Sequence, residues 1–267
     1  MSRVTTLTSD VLTRSSPAPT PSLEEVLRNI GNTPLVKLDE QIFAKLEGHN
    51  PGQSIKDRAL SSMVLAMLAD GRLDPDADSL CLVTSGSAGV SLLSLHQSLR
   101  AAGLQMDVVV VVPAAYAHKK VPSEILETPG VQVYRSGAEL AASSGTPCGA
   151  QKVLLLEGTF MEVMEEAKAL AVDEEWRVLD QHYDDNGLLA HEQTVREIMR
   201  DCPGVTDVVC TTGTGATAAG LRRFLPGHIQ VHARPGARIT LCPEIPFRAP
   251  CSARHQRPPT LVLPYYL

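Results

Sequence analysis

No run of apolar residues in this chain of 267 approaches the roughly 18 that a membrane-spanning helix requires. The first 20 residues also lack the apolar core of a secretory signal. Basic residues are outnumbered, with 24 Lys and Arg against 30 Asp and Glu, and they are scattered instead of clustered. We therefore expect a cytoplasmic protein that binds neither membranes nor nucleic acids.

Closely spaced metal-binding or redox pairs are missing as well. None of the six cysteines forms a C-x-x-C pair, and two of them, Cys81 and Cys210, lie in apolar runs that indicate buried strands. His228 and His232 are four residues apart, but the segment between them alternates like a strand, so the two rings would not share a helical face. We predict reduced thiols and no metal site.

Short apolar runs alternate with helix-period segments, the pattern of a parallel sheet covered by helices, so we predict an α/β fold. The predicted strands are residues 80–83, 107–113 and 205–211, of which the second is apolar on both faces, as a central parallel strand must be. The predicted helices are residues 54–70, 88–102, 160–174 and 188–201. Residues 1–22, rich in Ser, Thr and Pro, are predicted to form a mobile arm.

The segment Asn-Pro-Gly-Gln-Ser-Ile-Lys-Asp-Arg at 50–58 is a glycine turn that places Lys56 at the start of a predicted amphipathic helix. The N–H groups there carry partial positive charge, which lowers the proton affinity of a lysine. A neutral amine attacks aldehydes, so Lys56 is a candidate to hold pyridoxal phosphate as a Schiff base. Taken alone, a lysine near a turn is more often a solvated surface charge. Asn50 and Asp57 are predicted to be structural, through the turn and the helix N-terminus respectively.

Two further loops offer hydrogen-bond donors. Thr212 to Thr217 is a glycine-rich turn after a predicted strand, where consecutive amides and the hydroxyls of Thr214 and Thr217 would bind a phosphate. Its alternative is a tight turn whose glycines merely permit packing. Thr84 to Ser87 provides hydroxyls and amides for a substrate carboxylate, and its alternative is an ordinary helix cap by Ser85 or Ser87.

In order along the chain, these segments resemble motifs of the cysteine synthase/cystathionine β-synthase family, the fold-type II pyridoxal-phosphate enzymes. The matching segments are 30–38 with 44–47 (the opening), 50–58 (lysine motif), 84–89 (substrate loop), 180–191 (the segment that places a glutamine) and 213–217 (phosphate loop). The likeness runs from about Ile30 to Phe224, and ordered agreement over that length is far more specific than any single glycine motif.

The resemblance implies two three-layer α/β domains with mostly parallel sheets, as in the β-subunit of tryptophan synthase. Residues 23–47 and 181–234 would form a larger domain that binds the cofactor phosphate. Residues 48–180 would form a smaller substrate-loop domain, with an insertion near 136–158. Residues 235–267 would be a proline-rich tail. The resemblance also implies a homodimer.

The activity implied is β-replacement or β-elimination on an O-activated serine, giving cysteine or another β-substituted alanine. Lys56 would hold pyridoxal phosphate and remove the α-proton of the amino-acid substrate. The other cofactor contacts implied are Ser87, Gly213, Thr214, Gly215, Ala216 and Thr217. The substrate contacts implied are Thr84, Ser85, Gly86, Ser87 and Gln181.

The chain departs from the family pattern at several places. Ser87 and Ala88 stand where the family has asparagine and threonine, so two side-chain donors are shortened or lost. Gln53 replaces a small residue beside the lysine and is expected to add bulk that crowds the cofactor pocket. Seven of the 33 residues from 235 to 267 are proline, which predicts that this tail makes no central strand and leaves strands near Val208 at an open sheet edge.

Two alternatives belong to other classes. Gly213 to Ala218 also fits the G-x-G-x-x-A fingerprint of dinucleotide-binding oxidoreductases, but the first acidic residue after it is Glu244, beyond the spacing that this fingerprint requires. The second alternative is a non-catalytic homologue that keeps the fold as a binding or regulatory partner. The altered substrate loop and the unusual tail favour that alternative.

Overall fold

The computed structural model describes residues 22–117, 125–143, 149–235 and 259–263. Its strands are β1 (Leu35–Lys37), β2 (Ile42–Lys45), β3 (Ser79–Val83), β4 (Asp107–Pro113), β5 (Val131–Tyr134), β6 (Gln151–Leu156), β7 (Arg177–Val178), β8 (Asp207–Thr212), β9 (Gln230–Pro235) and β10 (Thr260–Leu263). Its α-helices are α1 (Leu23–Arg28), α2 (Lys56–Ala69), α3 (Ser87–Ala101), α4 (Gly137–Ala141), α5 (Phe160–Asp173), α6 (Asp185–Leu189), α7 (His191–Asp201) and α8 (Ala216–Phe224). The predicted arm at 1–21 lies outside the described residues, while Ser22 caps α1.

The strands form two five-stranded sheets, and the predicted α/β fold is confirmed. Sheet one has the order β1-β2-β10-β8-β9, with only the β1–β2 pair antiparallel among the strands described. Sheet two has the order β5-β6-β4-β3-β7 and is parallel throughout the described part. The carboxyl ends of the strands in a parallel sheet meet at one edge, which is where α/β folds carry their sites.

Strand β4 explains why sheet two is covered on both faces. Its five valines alternate between two cores, with Val108, Val110 and Val112 packing into one and Val109 and Val111 into the other. None of the five is more than 1% exposed. The prediction of a central parallel strand over 107–113 is confirmed, because β4 lies between β3 and β6.

The helices follow the predictions with two exceptions. The predicted helix at 188–201 is divided at Ala190 into α6 and α7, although neither glycine nor proline marks the break. Helix α2 is not amphipathic at its start, because every residue from Lys56 to Ser61 is buried. It is enclosed by α3 and α6, so the first two turns have no solvated face.

The prediction for the tail is wrong. Strand β10 lies inside sheet one, with Leu261 opposite Phe43 of β2 and Val208 of β8. Leu261 is fully buried, and Val208 is not at a sheet edge. The high proline content is an average over 33 residues, and it does not exclude a short strand. Strand β10 consists of only the four residues between Pro259 and Pro264, none of which is proline. Residues 236–258 and 264–267 lie outside the described residues.

The segment at 136–158, which resembled an insertion, contains part of sheet two. Strand β6 pairs with β4 on one side and β5 on the other, so residues 151–156 are integral to the sheet. Helix α4 lies at the beginning of the segment, capped by Ser136, whose hydroxyl accepts a hydrogen bond from the Glu139 amide. Residues 144–148 lie outside the described residues.

Three further observations concern the described residues only. Cys81, Cys202 and Cys210 are buried free thiols, and burial raises the pKa of Cys81 to about 12 and that of Cys210 to about 11. No group of three or more His, Cys, Asp or Glu side chains in the described ranges could hold a metal ion. No helix there is both long enough and apolar enough to cross a membrane.

Candidate active site

The turn before α2 is built by side chains that accept backbone hydrogen bonds. The Asp57 carboxylate accepts from the amides of Gly52 at 2.9 Å and Ser54 at 3.1 Å, and burial raises the pKa of Asp57 to about 6. The Asn50 side chain accepts from the Gly31 amide at 2.8 Å. A Cβ at Gly52 would lie 2.6 Å from the Ser91 Cα, so only glycine lets the turn pack this closely on α3. Lys56 follows as the first residue of α2.

Gln53 lies in this turn but does not crowd the cavity described below. It is exposed, is not among the residues that line the cavity, and has a φ of 58°. The expectation that its bulk obstructs the site is therefore wrong. Its backbone is in the left-handed conformation, which is energetically unfavourable for a residue other than glycine.

Lys56 is buried, with 7% of its surface exposed, and burial lowers the pKa of its amine. The lowered proton affinity predicted from the sequence therefore agrees in direction, but burial is the cause. Lys56 Nζ donates a hydrogen bond to Thr214 Oγ1 at 3.3 Å. This contact brings together the lysine turn and the glycine-rich loop, which are 158 residues apart in the chain.

The Lys56 side chain lines a cavity of about 220 Å³. The predicted site residues that line it are Lys56, Thr84, Ser85, Gly86, Ser87, Gln181, Gly213 and Thr214. Gly215, Ala216 and Thr217 are not among the lining residues and follow Thr214 at the start of α8. None of the described residues that line the cavity is acidic. The lining therefore consists of one amine, hydroxyls, amides and rings, which suits an anionic ligand.

The loop from Thr84 to Ser87 joins β3 to α3. Gly86 is the N-cap of α3 and has no side chain with which to cap the helix, so neither Ser85 nor Ser87 occupies the N-cap position of the alternative interpretation. The Thr84 hydroxyl accepts a hydrogen bond from the Gly86 amide at 3.1 Å. Gln181 reaches the same loop and donates from Nε2 to the Val83 carbonyl at 3.1 Å. The donors of two segments thus meet at the carboxyl end of β3.

The glycine-rich loop ends in the N-terminus of α8. Gly215 is the N-cap, with a φ of 91°, and Ala216 begins the helix. The first amides of a helix have no partner within it and carry partial positive charge, which favours phosphate. A Cβ added at Gly213 or Gly215 would have no atom of a described residue within 4 Å, apart from adjacent parts of the chain, so both glycines border open space. Such a cradle fits a phosphate group held by backbone amides.

Three lining residues, Ala88, Phe160 and His182, were not among the predicted site residues. Phe160 begins α5 just after β6, and His182 lies in the turn after β7. Their ring centroids are 6.3 Å apart with planes at 63°, an edge-to-face contact. Both residues follow parallel strands of sheet two, and the rule that sites lie at the carboxyl ends of such strands is the signal that points to them.

Arg58, two residues after Lys56, belongs to a buried charge network that also contains Lys45, Glu47 and Glu197; none of these four residues is more than 2% exposed. Arg58 Nε contacts Glu47 Oε2 at 2.7 Å, and Arg58 Nη2 contacts Glu197 Oε2 at 2.8 Å. Lys45 Nζ contacts the same Glu197 oxygen at 2.7 Å. Burial alone would raise the pKa of Glu197, but hydrogen bonds from Arg58 and Lys45 and the charge of Arg58 lower it to about 2.

His191, at the start of α7, is another buried polar residue near Lys56. It is fully buried, and burial, reinforced by the charges of Arg58 and Lys56, lowers its pKa to about 3. Its Nδ1 lies 3.2 Å from the Thr194 hydroxyl. A Cβ at Gly220 of α8 would lie 2.7 Å from the His191 Cβ, so the imidazole is packed tightly against the helix that follows the glycine-rich loop.

Comparisons with known proteins show the family to which the chain belongs. The family described as "Pyridoxal-phosphate dependent enzyme" matches residues 26–243. Cystathionine beta-synthase of Dictyostelium discoideum is 30% identical over 236 residues, covering 83% of this chain and 43% of that protein. Cysteine synthase B of Salmonella typhimurium is 32% identical over 209 residues, covering 74% of this chain and 60% of that protein.

Among solved structures, a hydrogen sulfide-producing enzyme from Fusobacterium nucleatum matches with a TM-score of 0.60 at 26% identity. That match covers 82% of this chain and 66% of that one. The chain spans less than two thirds of the length of each of the two sequence relatives named above. The matched family residues include the lysine turn, both loops and the strands that carry them. The chain belongs to the pyridoxal-phosphate-dependent enzyme family.

Proposed function

We propose that the protein catalyses β-replacement, or β-elimination, on an O-activated serine and forms cysteine or another β-substituted alanine. The observation that carries this proposal is the contact between the buried Lys56 amine and Thr214, inside a cavity whose described lining residues include several hydrogen-bond donors and no carboxylate. The names of the sequence relatives, cysteine synthase B and cystathionine beta-synthase, support the same reaction class.

The residues present fit pyridoxal phosphate. Lys56 would supply the amine, the loop from Gly213 to Thr217 would supply amides and two hydroxyls to hold the phosphate, and Ser87, which lines the same cavity, would be a further contact. When bound there, the cofactor supplies an electron sink for the negative charge that develops at the substrate α-carbon. Because burial favours the neutral form of Lys56, its amine is suited to take the α-proton and later return it.

The substrate carboxylate is assigned to the loop at Thr84, Ser85, Gly86 and Ser87, together with Gln181. The backbone amides at the N-terminus of α3 lie at the positive end of the helix dipole, which favours an anion. The hydroxyls of the loop are additional hydrogen-bond donors. Sulfide or a thiol then attacks the β-carbon after the activated oxygen leaves. Ser87 and Ala88 carry shorter side chains than the family pattern, and this observation favours the second candidate, a non-catalytic homologue.

Turnover separates the two candidates. With pyridoxal phosphate bound, O-acetyl-L-serine and sulfide are expected to yield cysteine and acetate, measured as free thiol and acetate in equal amounts. A protein that binds the cofactor and shows an amino-acid-dependent change in its absorption, yet releases no acetate, is the non-catalytic homologue. Absence of any cofactor absorption after saturation contradicts both candidates.

A substitution at Gly215 tests the phosphate loop. Gly215→Asp is expected to lower the affinity for pyridoxal phosphate by at least about tenfold, because two like charges a few ångströms apart near a protein surface repel by more than the roughly 1.4 kcal/mol that corresponds to a factor of ten. Gly103→Asp is the matched control, since Gly103 has a φ of 95° and equally open space around its Cβ position. Equilibrium titration with the cofactor should give a lower affinity for Gly215→Asp than for Gly103→Asp. Urea unfolding should show a similar loss in the free energy of unfolding for both variants. Equal affinities in the two variants contradict the assignment.

We also propose that sheet one belongs to a larger cofactor-phosphate domain and sheet two to a smaller substrate-loop domain, with β10 added to the first. A homodimer in the cytoplasm, acting on a small amino acid without nucleic acid or membrane, completes the proposal. The resemblance to the family supports these points. Sedimentation equilibrium of the purified protein tests the dimer.

A further inference from the structure

The cavity contains two titratable side chains, Lys56 and His182, among its lining residues. They differ in their access to water, since Lys56 is 7% exposed while His182 is exposed. A proton on Lys56 is therefore retained near the substrate, whereas a proton on His182 exchanges with solvent. The structure thus offers two proton carriers of different kind within one site.

The imidazole of His182 is positioned without using its nitrogens. Its ring lies edge-to-face against Phe160, and its backbone amide donates to Asp180 Oδ1 at 3.1 Å. No hydrogen bond of either ring nitrogen occurs within the described residues. By contrast, His96 Nε2 lies 2.7 Å from the Met106 carbonyl and His232 Nε2 lies 2.8 Å from Asp207. The nitrogens of His182 thus remain available to a ligand.

Among the residues that the structure describes, the charged groups that share a cavity or depression with His182 lie on three elements. Lys56 on α2 lines the same cavity. Lys168 on α5 and Asp180 in the turn line an adjoining depression with His182. Lys168 Nζ lies 3.6 Å from Asp180 Oδ2, so these two charges largely compensate each other. The ring itself has no carboxylate partner among the described residues.

The proposed replacement requires proton transfer at two carbons. Lys56 takes the α-proton as the bond between the β-carbon and the acetate oxygen breaks, and the oxygen leaves with the electron pair as acetate. A protonated thiol must then lose its proton as its sulfur forms the new bond to the β-carbon. Lys56 returns its proton to the α-carbon, so it is already protonated when the thiol arrives and cannot accept a second proton.

We propose that His182 is a catalytic base that accepts the proton of the incoming nucleophile and releases it to solvent. This inference rests on the proposed function. The atoms balance, because O-acetylserine and a thiol give the thioether amino acid, acetate and one proton, and His182 carries that one proton out. Because the imidazole of His182 is exposed, it can release the proton to solvent. Because the amine of Lys56 is buried, it can keep the α-proton and return it to the substrate.

The experiment compares two nucleophiles with the holoenzyme and O-acetyl-L-serine. 2-Mercaptoethanol must lose a proton at neutral pH, whereas azide is already an anion and has none to lose. His182→Phe keeps the ring contact with Phe160 and removes both nitrogens. We expect this variant to lose about 10²-fold in rate with 2-mercaptoethanol, since a positioned general base contributes about 10²–10⁴-fold. Its rate with azide should stay close to that of the wild type.

Raising the pH provides a second readout that a purely structural role does not affect. More of the thiol ionises at high pH, so the deficit of His182→Phe with 2-mercaptoethanol should shrink there, while the azide reaction shows no such recovery. Phe160→Leu keeps the imidazole but loses the edge contact and should slow both nucleophiles alike. Tyr183→Phe, at a residue 83% exposed, should leave both rates unchanged.

The outcomes distinguish the two levels of the proposal. If His182→Phe slows both nucleophiles to the same extent, or neither, the role of His182 as a base is wrong and the β-replacement stands. If the wild type forms a β-substituted alanine with neither nucleophile, the proposed function fails and the role of His182 falls with it. An unchanged cofactor absorption in His182→Phe confirms that lost binding does not cause the lost rate.

Discussion

Replacing Lys56 by alanine is expected to abolish covalent attachment of pyridoxal phosphate without weakening the fold. The side chain lines a cavity, so its removal enlarges an existing space and opens no void in the apolar core. Burial also disfavours the charged form of the amine, which lowers its pKa. The cofactor-free variant should therefore unfold at a urea concentration at least as high as the cofactor-free wild type.

The pH dependence of this effect has a definite sign. The folded wild type binds fewer protons at Lys56 than the unfolded chain between the lowered pKa and the ordinary lysine pKa. The stability of the wild type consequently rises with pH across that interval. The advantage of Lys56→Ala should be largest below the lowered pKa and should disappear as the pH approaches the ordinary value.

Lys56→Met is the matched control, because it keeps the aliphatic stem and removes only the amine. Borohydride reduction followed by peptide mapping should label Lys56 in the wild type and no lysine in either variant. A label on another lysine contradicts the role of Lys56. A methionine variant that is less stable than the wild type at neutral pH contradicts the claim that burial penalises the charged amine.

The candidate site was largely predictable because its main parts are short, contiguous motifs. A turn such as the one before Lys56 or the one around Gly215 reveals its backbone conformation through glycine, so the chemistry of the loop can be inferred locally. Phe160 and His182 belong to no such motif. The rule that sites lie at the carboxyl ends of parallel strands points to them, but it can be applied only once β6 and β7 are known to lie in the same sheet as β3.

The fold was predictable where one strand or helix carries its own pattern. The five consecutive valines of β4 predict a strand buried on both faces regardless of context. The four residues of β10 are too short to stand out among seven prolines, and they are stabilised by β2 and β8 instead. The burial of the first turns of α2 likewise depends on α3 and α6, since tertiary packing overrides the local pattern.

The largest effect on stability is expected from Arg58→Met in the buried charge network. Arg58 binds Glu47 through Nε and Nη2, at 2.7 and 2.9 Å, and reaches Glu197 through Nη1 and Nη2, both at 2.8 Å. Removing one partner of a buried ion pair leaves an uncompensated charge, which costs about 3–5 kcal/mol. Arg28→Met, which removes an exposed pair with Glu24, should change the urea midpoint little.

The two carboxylates of the network differ in what remains after Arg58 is lost. Glu197 keeps Lys45 Nζ at 2.7 Å and the Asn32 amide at 2.8 Å. Glu47 keeps only neutral partners among the described residues, the Thr33 hydroxyl at 2.7 Å and Asn50 Nδ2 at 2.9 Å. The penalty in Arg58→Met should therefore come mainly from Glu47.

Double substitutions test this asymmetry. Adding Glu47→Gln to Arg58→Met removes the unpaired charge and should recover a larger part of the lost free energy of unfolding than adding Glu197→Gln, which leaves Lys45 without its carboxylate. Acid is a further probe, because the Glu197 pKa of about 2 means that its stabilisation is present above the ordinary glutamate pKa and is lost as the pH falls towards 2. Equal recovery by both double variants would show that the network acts as one unit around Arg58, two residues after Lys56.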